Sequence, residues 1–466
     1  MRTRKDVWNL PAQDETLLWY GRAVAEMQQL PRTDPLSWEY QAAIHGIDPL
    51  PSPMRNWWAQ CQHSSSFFLP WHRMYLLHFE RIVAAHVQRL GGPAEWALPY
   101  WNYSQGSASR ALPLAFRNPQ LADGSPNPLY VAARSSAANA GSQILGARDV
   151  ALDTCLRAPA TTTPGGFFGG PPAAHFGLLP GALELTPHNA VHRQVGGWMT
   201  DPDLAALDPI FWLHHANIDR MWEVWLNRDP SHKNLTTAYW LTGVSFSFHD
   251  ASGASVTMSV TDVLNLSAPA LDYGYEDTSD PLATPLVTLV GGIPTSHKAP
   301  MSNFSMELVG ATLDSVRLSD QVRHVEVPTP VTPQAFKLAA APQAFAQPAV
   351  ANPLVEHVIL QLEQVTSAAI APTYDIYLNL PPGQSPDTHE ERFVGRVAMF
   401  GIAQASNPNG PHGGGGQSFA FDITSLYHQL ADAGEVLPDH LHVSFVPVSP
   451  DGSPTVSVGR ISLYFA

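Results

Sequence analysis

Residues 208–222 read DPIFWLHHANIDRMW, and this stretch sets the architecture of the first half of the chain. Asp208 can accept the first free N–H groups of a helix, and Pro209 suits its first turn. A helix is therefore predicted from here to about Leu226, carrying His214 and His215. Upstream, FLPWHRMYLLHFE (68–80) belongs to a second predicted helix over residues 70–90, with Trp71, Met74, Tyr75 and Leu77 among its apolar positions and His72 near its start. TDPLSWEYQAAIHG (33–46) reads as a third, capped by Asp34 with Pro35 in its first turn and stopped by Gly46, so that His45 sits at its end. PHNAVHRQVGGWM (187–199) places His188 and His192 four residues apart, on one face of a helix.

These segments carry His45, His72, His188, His192 and His215, and with His63, between two of them, the histidines fall into two sets of three: His45, His63 and His72, then His188, His192 and His215. A lone histidine among aromatic residues is usually a packed, hydrogen-bonded one. Here helices with clear start signals carry these histidines in surroundings dense in Trp and Phe, which can wall off water. No carboxylate or thiolate stands at competing ligand spacing. Two trios of imidazoles form a ligand field suited to copper, with zinc as the main rival.

Composition narrows the classes. At 466 residues, two or three domains are expected. The 44% apolar and 14% charged content is that of a globular protein, and a net charge of −15 argues against nucleic acid as a partner. No apolar run approaches a membrane span. MRTRKDVWNLPAQDE has basic residues with no apolar stretch behind them, so it is not a secretory signal. The expectation is a cytoplasmic protein, or one whose leader has been removed. Cys61 and Cys155 make no disulfide framework, and their spacing leaves a single bond between them open.

Residues 104–180, rich in Ala, Gly, Pro and Ser, read as loops laid over the helices. Near residue 280 the composition changes, and PTPVTPQAFKLAAAPQAFAQPAVANP (328–353) is a Pro/Ala linker. VEHVILQLEQV, YDIYLNLP, FVGRVAMFGI, HLHVSFVPV and VSVGRISLYFA alternate with period two, as strands of an antiparallel β-sandwich or jelly roll do; NPNGPHGGGG (407–416) is a loop within it. The predicted fold is a mainly α core, a four-helix bundle holding a dicopper site, followed by an all-β domain. The expected boundaries are 1–280 for the core, 281–352 for the connecting segment and 353–466 for the β domain.

FLPWHR, PHNAVHRQVGGWM and DPIFWLHHANIDRMW, in that order, resemble the two copper-binding signatures of the type 3 copper proteins: tyrosinases, catechol oxidases and haemocyanins. Tyr273-Gly274-Tyr275 resembles the tyrosine motif that closes the core in this family, where an N-terminal arginine is its partner; Arg2 and Arg4 are the candidates. The linker and tail are similar to those of bacterial tyrosinases with a C-terminal β-domain. The resemblance implies that His45, His63 and His72 hold one copper and His188, His192 and His215 the other. His214 would be supporting or packing, because adjacent helical residues diverge by about 100°. It also implies a thioether between Cys61 and His63, against the plain reading of Cys61 as a small buried residue.

Two copper(I) ions held by neutral imidazoles can reduce dioxygen to a side-on bridging peroxide, which is electrophilic toward phenols. The resemblance therefore implies ortho-hydroxylation of monophenols and oxidation of o-diphenols to o-quinones. Glu184 and Asn189 stand where tyrosinases orient a water that deprotonates the monophenol; the alternatives are a solvated helix-start residue and a surface amide. Arg193 falls at a position that tunes activity, or is an exposed arginine. Phe211 would stack on a ligand ring or pack the core. Asp219 would brace the site or pair with Arg220. Pro202 would leave the entrance over the first copper open. Met399 or Phe400, in FVGRVAMFG (393–401), would plug the site until the tail is loosened. The remaining readings are a haemocyanin-like oxygen carrier, a diphenol-only or o-aminophenol oxidase, and, more distantly, a zinc hydrolase.

Overall fold

Helix ends in the first half lie where backbone N–H groups find acceptors. The computed structural model describes residues 1–11, 13–46, 57–121, 124–171, 179–283, 306–329, 357–381, 383–409, 413–435, 440–448 and 455–465. The chain divides into two units, one of residues 1–162 and 166–296, the other of 163–165 and 297–466. The main elements of the first are β1 (Arg2–Arg4), α1 (Thr16–Gln29), α2 (Trp38–His45), α3 (Phe68–Arg89), α4 (Asn189–Val195), α5 (Pro209–Arg228), a hairpin of β2 (Ser245–His249) and β3 (Ser255–Ser259), and β4 (Tyr273–Tyr275).

α5 begins as predicted: the Asp208 carboxylate accepts the Ile210 N–H at 3.0 Å, a cap that stabilises the helix by about 1 kcal/mol. α2 begins later than predicted. Ser37, not Asp34, caps it through the Tyr40 N–H at 3.1 Å. Asp34 is used one step earlier, accepting the Leu36 N–H at 2.9 Å to close the preceding turn. Gly46 ends the helix, its N–H on the Ala42 carbonyl. The described parts of 104–180 are loops with short helical turns, as expected.

α3 is buried without interruption from Phe68 to Glu80, which places it at the centre of its unit. Charges on such a helix need partners. Arg73 lies 2.5 Å from Asp219 and 2.7 Å from Glu223, and Glu80 lies 2.7 Å from Arg4. β1 and β4 pair in parallel, Arg2 opposite Tyr273 and Arg4 opposite Tyr275. Of the two candidate arginines it is Arg4 that engages the tyrosine pair: it donates to the Tyr275 hydroxyl at 2.8 Å and lies 3.9 Å over the Tyr273 ring. Of the two roles expected for Asp219, bracing the site or pairing with Arg220, the hydrogen bonds show no pairing with Arg220. Asp219 accepts from Arg73, Arg4 and the hydroxyls of Tyr273 and Tyr275, while Arg220 donates to Asn217 and to the Asp277 carbonyl. Consecutive helical side chains diverge, so Asp219 and Arg220 serve different neighbours.

The second unit holds two sheets with antiparallel pairing. Its strands are β5 (Glu307–Ala311), β6 (Val316–Leu318), β7 (Arg323–Pro328), β8 (Val358–Thr366), β9 (Tyr374–Leu378), β10 (Phe393–Val397), β11 (Gln417–Asp422), β12 (His440–Pro447) and β13 (Val456–Phe465). One sheet has the order β10-β9-β12-β7; the other is β11-β8-β13-β5, with β6 also on β13. Leu360, Leu362, Ile376, Leu378, Val443, Phe445, Ile461 and Leu463 are buried among them. The expected boundary at 353 is corrected: β5, β6 and β7 already pair with β12 and β13, so the Pro/Ala-rich stretch falls between two strands of one unit. β10 ends at Val397. Met399 and Phe400 lie beyond it, before the helix Ile402–Ala405, and both are buried, so strand alternation does not separate them. Most of 328–353 and part of 407–416 lie outside the described residues.

Candidate metal centre

The two histidine trios converge. His45 ends α2, His63 precedes α3, and His72 lies in its first turns; nitrogens of all three are within 4.8 Å of one another. His188 closes a distorted turn, Glu184–His188, in which Thr186 is extended, and His192 and His215 come from α4 and α5. Across the trios the rings of His72 and His215 stack at 4.4 Å, and those of His63 and His188 are 5.7 Å apart. All six are buried.

The hydrogen bonds fix which nitrogen faces inward. Nδ1 of His45, His72 and His192 meets the carbonyls of Pro202, Phe68 and Met199 at 2.8, 2.8 and 2.7 Å. A carbonyl only accepts, so each Nδ1 carries the proton and each Nε2 presents a lone pair. His188 Nδ1 meets Asn189 Oδ1 at 2.9 Å. Nε2 of His192 and His215 stand 3.4 Å apart, the separation of two nitrogens sharing one metal through bonds of about 2.0–2.1 Å. Burial drives the pKa of His63, His72, His192 and His215 well below 6.5 and that of His188 down to about 3, so these rings are neutral and able to ligate.

Two phenylalanines wedge the trios. Phe211 is edge-on to His45 at 4.9 Å and tilted over His215 at 4.2 Å; Phe68 lies 4.7 Å from both His72 and His188. Pro202 is buried and acts through its carbonyl on His45. Arg193 is half-buried rather than exposed. One nitrogen of His214 lies within 4.8 Å of those of His188, His192 and His215, and its Nδ1 lies 3.3 Å from the Tyr103 hydroxyl. Cys61 and Cys155 are buried and not bonded to each other.

Glu184 is buried, and one carboxylate oxygen accepts the Ser64 N–H at 2.7 Å. The other, Oε2, has no hydrogen-bond partner among the described residues. Burial pushes this carboxyl up to about 8, against the opposing pull of the Ser64 and Gly181 N–H groups. Ser64, Phe68, Met199 and Tyr103 were not singled out from the sequence; backbone groups leave no mark there, although the aromatic ring of Phe68, four before His72, is a legible signal.

A buried pair of three-imidazole sets with inward lone pairs defines a dinuclear metalloprotein whose donors suit copper. Residues 35–148 and 170–228 match the common central domain of tyrosinase, and 305–466 match a domain of unknown function, DUF7868. The chain is 35% identical to tyrosinase HcTyr1 of Hahella sp. (strain CCB-MM4), over 100% of this chain and 99% of that one. It is 32% identical to the latent form of chloroplastic polyphenol oxidase of Prunus armeniaca, over 58% of this chain and 47% of that one. The structure of latent apple tyrosinase shares the fold, with a TM-score of 0.64 at 23% identity over 100% of this chain and 97% of that one. The chain belongs to the tyrosinase family. It is a copper oxidoreductase of the polyphenol oxidase kind, with two copper ions as cofactor and with phenols and dioxygen as substrates.

Proposed function

We propose that this centre both hydroxylates monophenols at the ortho position and oxidises the resulting catechols to o-quinones. His45, His63 and His72 would hold one copper, His188, His192 and His215 the other. The bound metal pair supplies dioxygen activation and accepts the substrate's electrons. The observation that carries the monophenol reading is Glu184: a buried carboxylate with one oxygen fixed on Ser64 and the other without a hydrogen-bond partner among the described residues, four residues before His188 and five before Asn189 in the sequence. Glu184 and Asn189 together can hold a water that takes the phenol proton, the carboxylate accepting it in turn. Asn189 at the same time orients His188 through Nδ1. Phe68 and Phe211 keep the rings in place and exclude water from their backs.

The test is turnover of tyramine and of catechol by the copper-loaded chain. Oxidation of both supports the reading. Catechol oxidation with inert tyramine would make the enzyme a diphenol oxidase. Intact-mass loss of two hydrogens on copper loading in air, with dioxygen taking the two electrons and two protons, would mark the Cys61–His63 thioether that the resemblance implies. Latency rests on that resemblance alone: cleavage within 328–353 is expected to raise tyramine turnover, and unchanged turnover would remove it.

A further inference from the structure

A second group of metal-competent side chains lies in the β unit, with no part in the site already described. Glu326, His440 and His442 bring one ligand atom each to within 4.8 Å of one another. Their placement follows from sheet geometry. His440 and His442 are two apart on β12, so they share a face, and their rings meet edge-to-face at 4.7 Å. Glu326 on β7 stands directly opposite His442 in the antiparallel register. The other face of the same strands carries Leu441, Val443 and Val327, all buried, so the triad is on the polar side. Glu326 is exposed and the two histidines half-buried, which leaves the group reachable by an ion.

We propose that Glu326, His440 and His442 form a third metal site, independent of the six-histidine centre, for a late first-row divalent cation. Two imidazoles and one carboxylate are borderline ligands. They bind Cu²⁺ most tightly and Zn²⁺ next, and reject Mg²⁺ and Ca²⁺, which demand more oxygen donors. A solvated sheet face calls for polar residues but not for two imidazoles and a carboxylate with ligand atoms within 4.8 Å of one another. Bonds of about 2.0–2.1 Å bring ligand atoms to about 3.3 Å from each other, so closure from a spread of up to 4.8 Å asks for a shift of about 1.5 Å. The backbone is held for it: β12 lies between β7 and β9, and the His442 N–H donates to the Asn379 side chain at 3.1 Å. Three protein ligands leave one position for water or an exogenous ligand. A net charge of −15 draws cations toward the chain.

The test uses the full chain with its six-histidine centre already filled with copper. Calorimetric titration with Cu²⁺, and separately Zn²⁺, is expected to show one further equivalent per chain. The Cu²⁺ form should give a mononuclear paramagnetic resonance signal with nitrogen splitting from imidazole. His440→Ala and His442→Ala should each weaken this binding at least about tenfold. His324→Ala, on the same face but outside the triad, should leave it unchanged. Catechol turnover and melting temperature without added metal should match the parent in every variant, which shows that the fold is intact. Absence of a further equivalent in the parent, or its persistence in the His440→Ala/His442→Ala double variant, overturns the proposal.

Discussion

Glu184 accepts the backbone N–H of Ser64 at 2.7 Å, across 120 residues of chain. The bond ties the residue after His63 to the turn that delivers His188, so one carboxylate braces both trios while its other oxygen stays available to a proton.

Those two duties separate by substitution. Glu184→Gln keeps an amide oxygen for Ser64 but removes the base. Tyramine hydroxylation should fall by about 100-fold while catechol oxidation changes little. Glu184→Ala also strands the Ser64 N–H and should cost about 1–3 kcal/mol in denaturant unfolding. Equal loss of both activities in the glutamine variant would assign Glu184 to bracing alone.

Gly46 is wedged against the carbonyl that orients His45. A Cβ at Gly46 would lie 2.4 Å from the Pro202 oxygen, and that oxygen is the 2.8 Å partner of His45 Nδ1. Gly46→Ala is expected to lower copper affinity about 10–100-fold in chelator competition, with the helical content kept. Unchanged affinity would show that Pro202 can move without releasing the ring.

Asp219 gathers two guanidinium groups and two tyrosine hydroxyls in a buried setting. Burial raises its pKa, but Arg73 and Arg4 outweigh that and hold it below the usual carboxylate range. Asp219→Asn leaves both arginines short of charge and should destabilise the unit by about 3–5 kcal/mol in urea. Glu223→Gln removes a more accessible partner of Arg73 and should cost ~1 kcal/mol or less.

Copper-free protein should lose stability as pH falls. The imidazole pKa values are lowered by burial, His188 from 6.5 to about 3, so the unfolded chain binds protons first. Their contribution is complete above about 6.5 and is lost progressively below it. Glu184 runs the other way. Its raised pKa gives stability that is full below 4.5 and lost by about 8, but it is one group against five. Melting curves of the metal-free chain should drop between about pH 7 and about pH 5, and copper loading should flatten the profile. A flat metal-free profile would contradict the neutral-imidazole arrangement.

Local signals were legible and distant ones were not. Asp208-Pro209 announces α5 because cap and helix are adjacent in sequence. Asp34-Pro35 carries the same signal and misleads, because Ser37 offers a second cap three residues on and Asp34 closes a turn instead. The histidines of the centre were readable from their segments. The partners of Asp219 were not, since Arg73 lies 146 residues away and nothing local favours it over Arg220. β5, β6 and β7 leave little mark in the sequence because they are three to six residues long and lie ahead of a Pro/Ala-rich stretch that looks like a boundary.

The parallel ribbon of β1 and β4 joins Arg4 to Tyr275 across 271 residues. During synthesis at about 5–20 residues per second, the first strand must wait on the order of tens of seconds for its mate. For most of that interval Arg4 and Glu80 have been made, while Asp219 and then the tyrosine pair are still to come. Closure of the helical unit is therefore a late event for the nascent chain, and early capture of metal by the first histidine trio would precede the lock that holds its scaffold together.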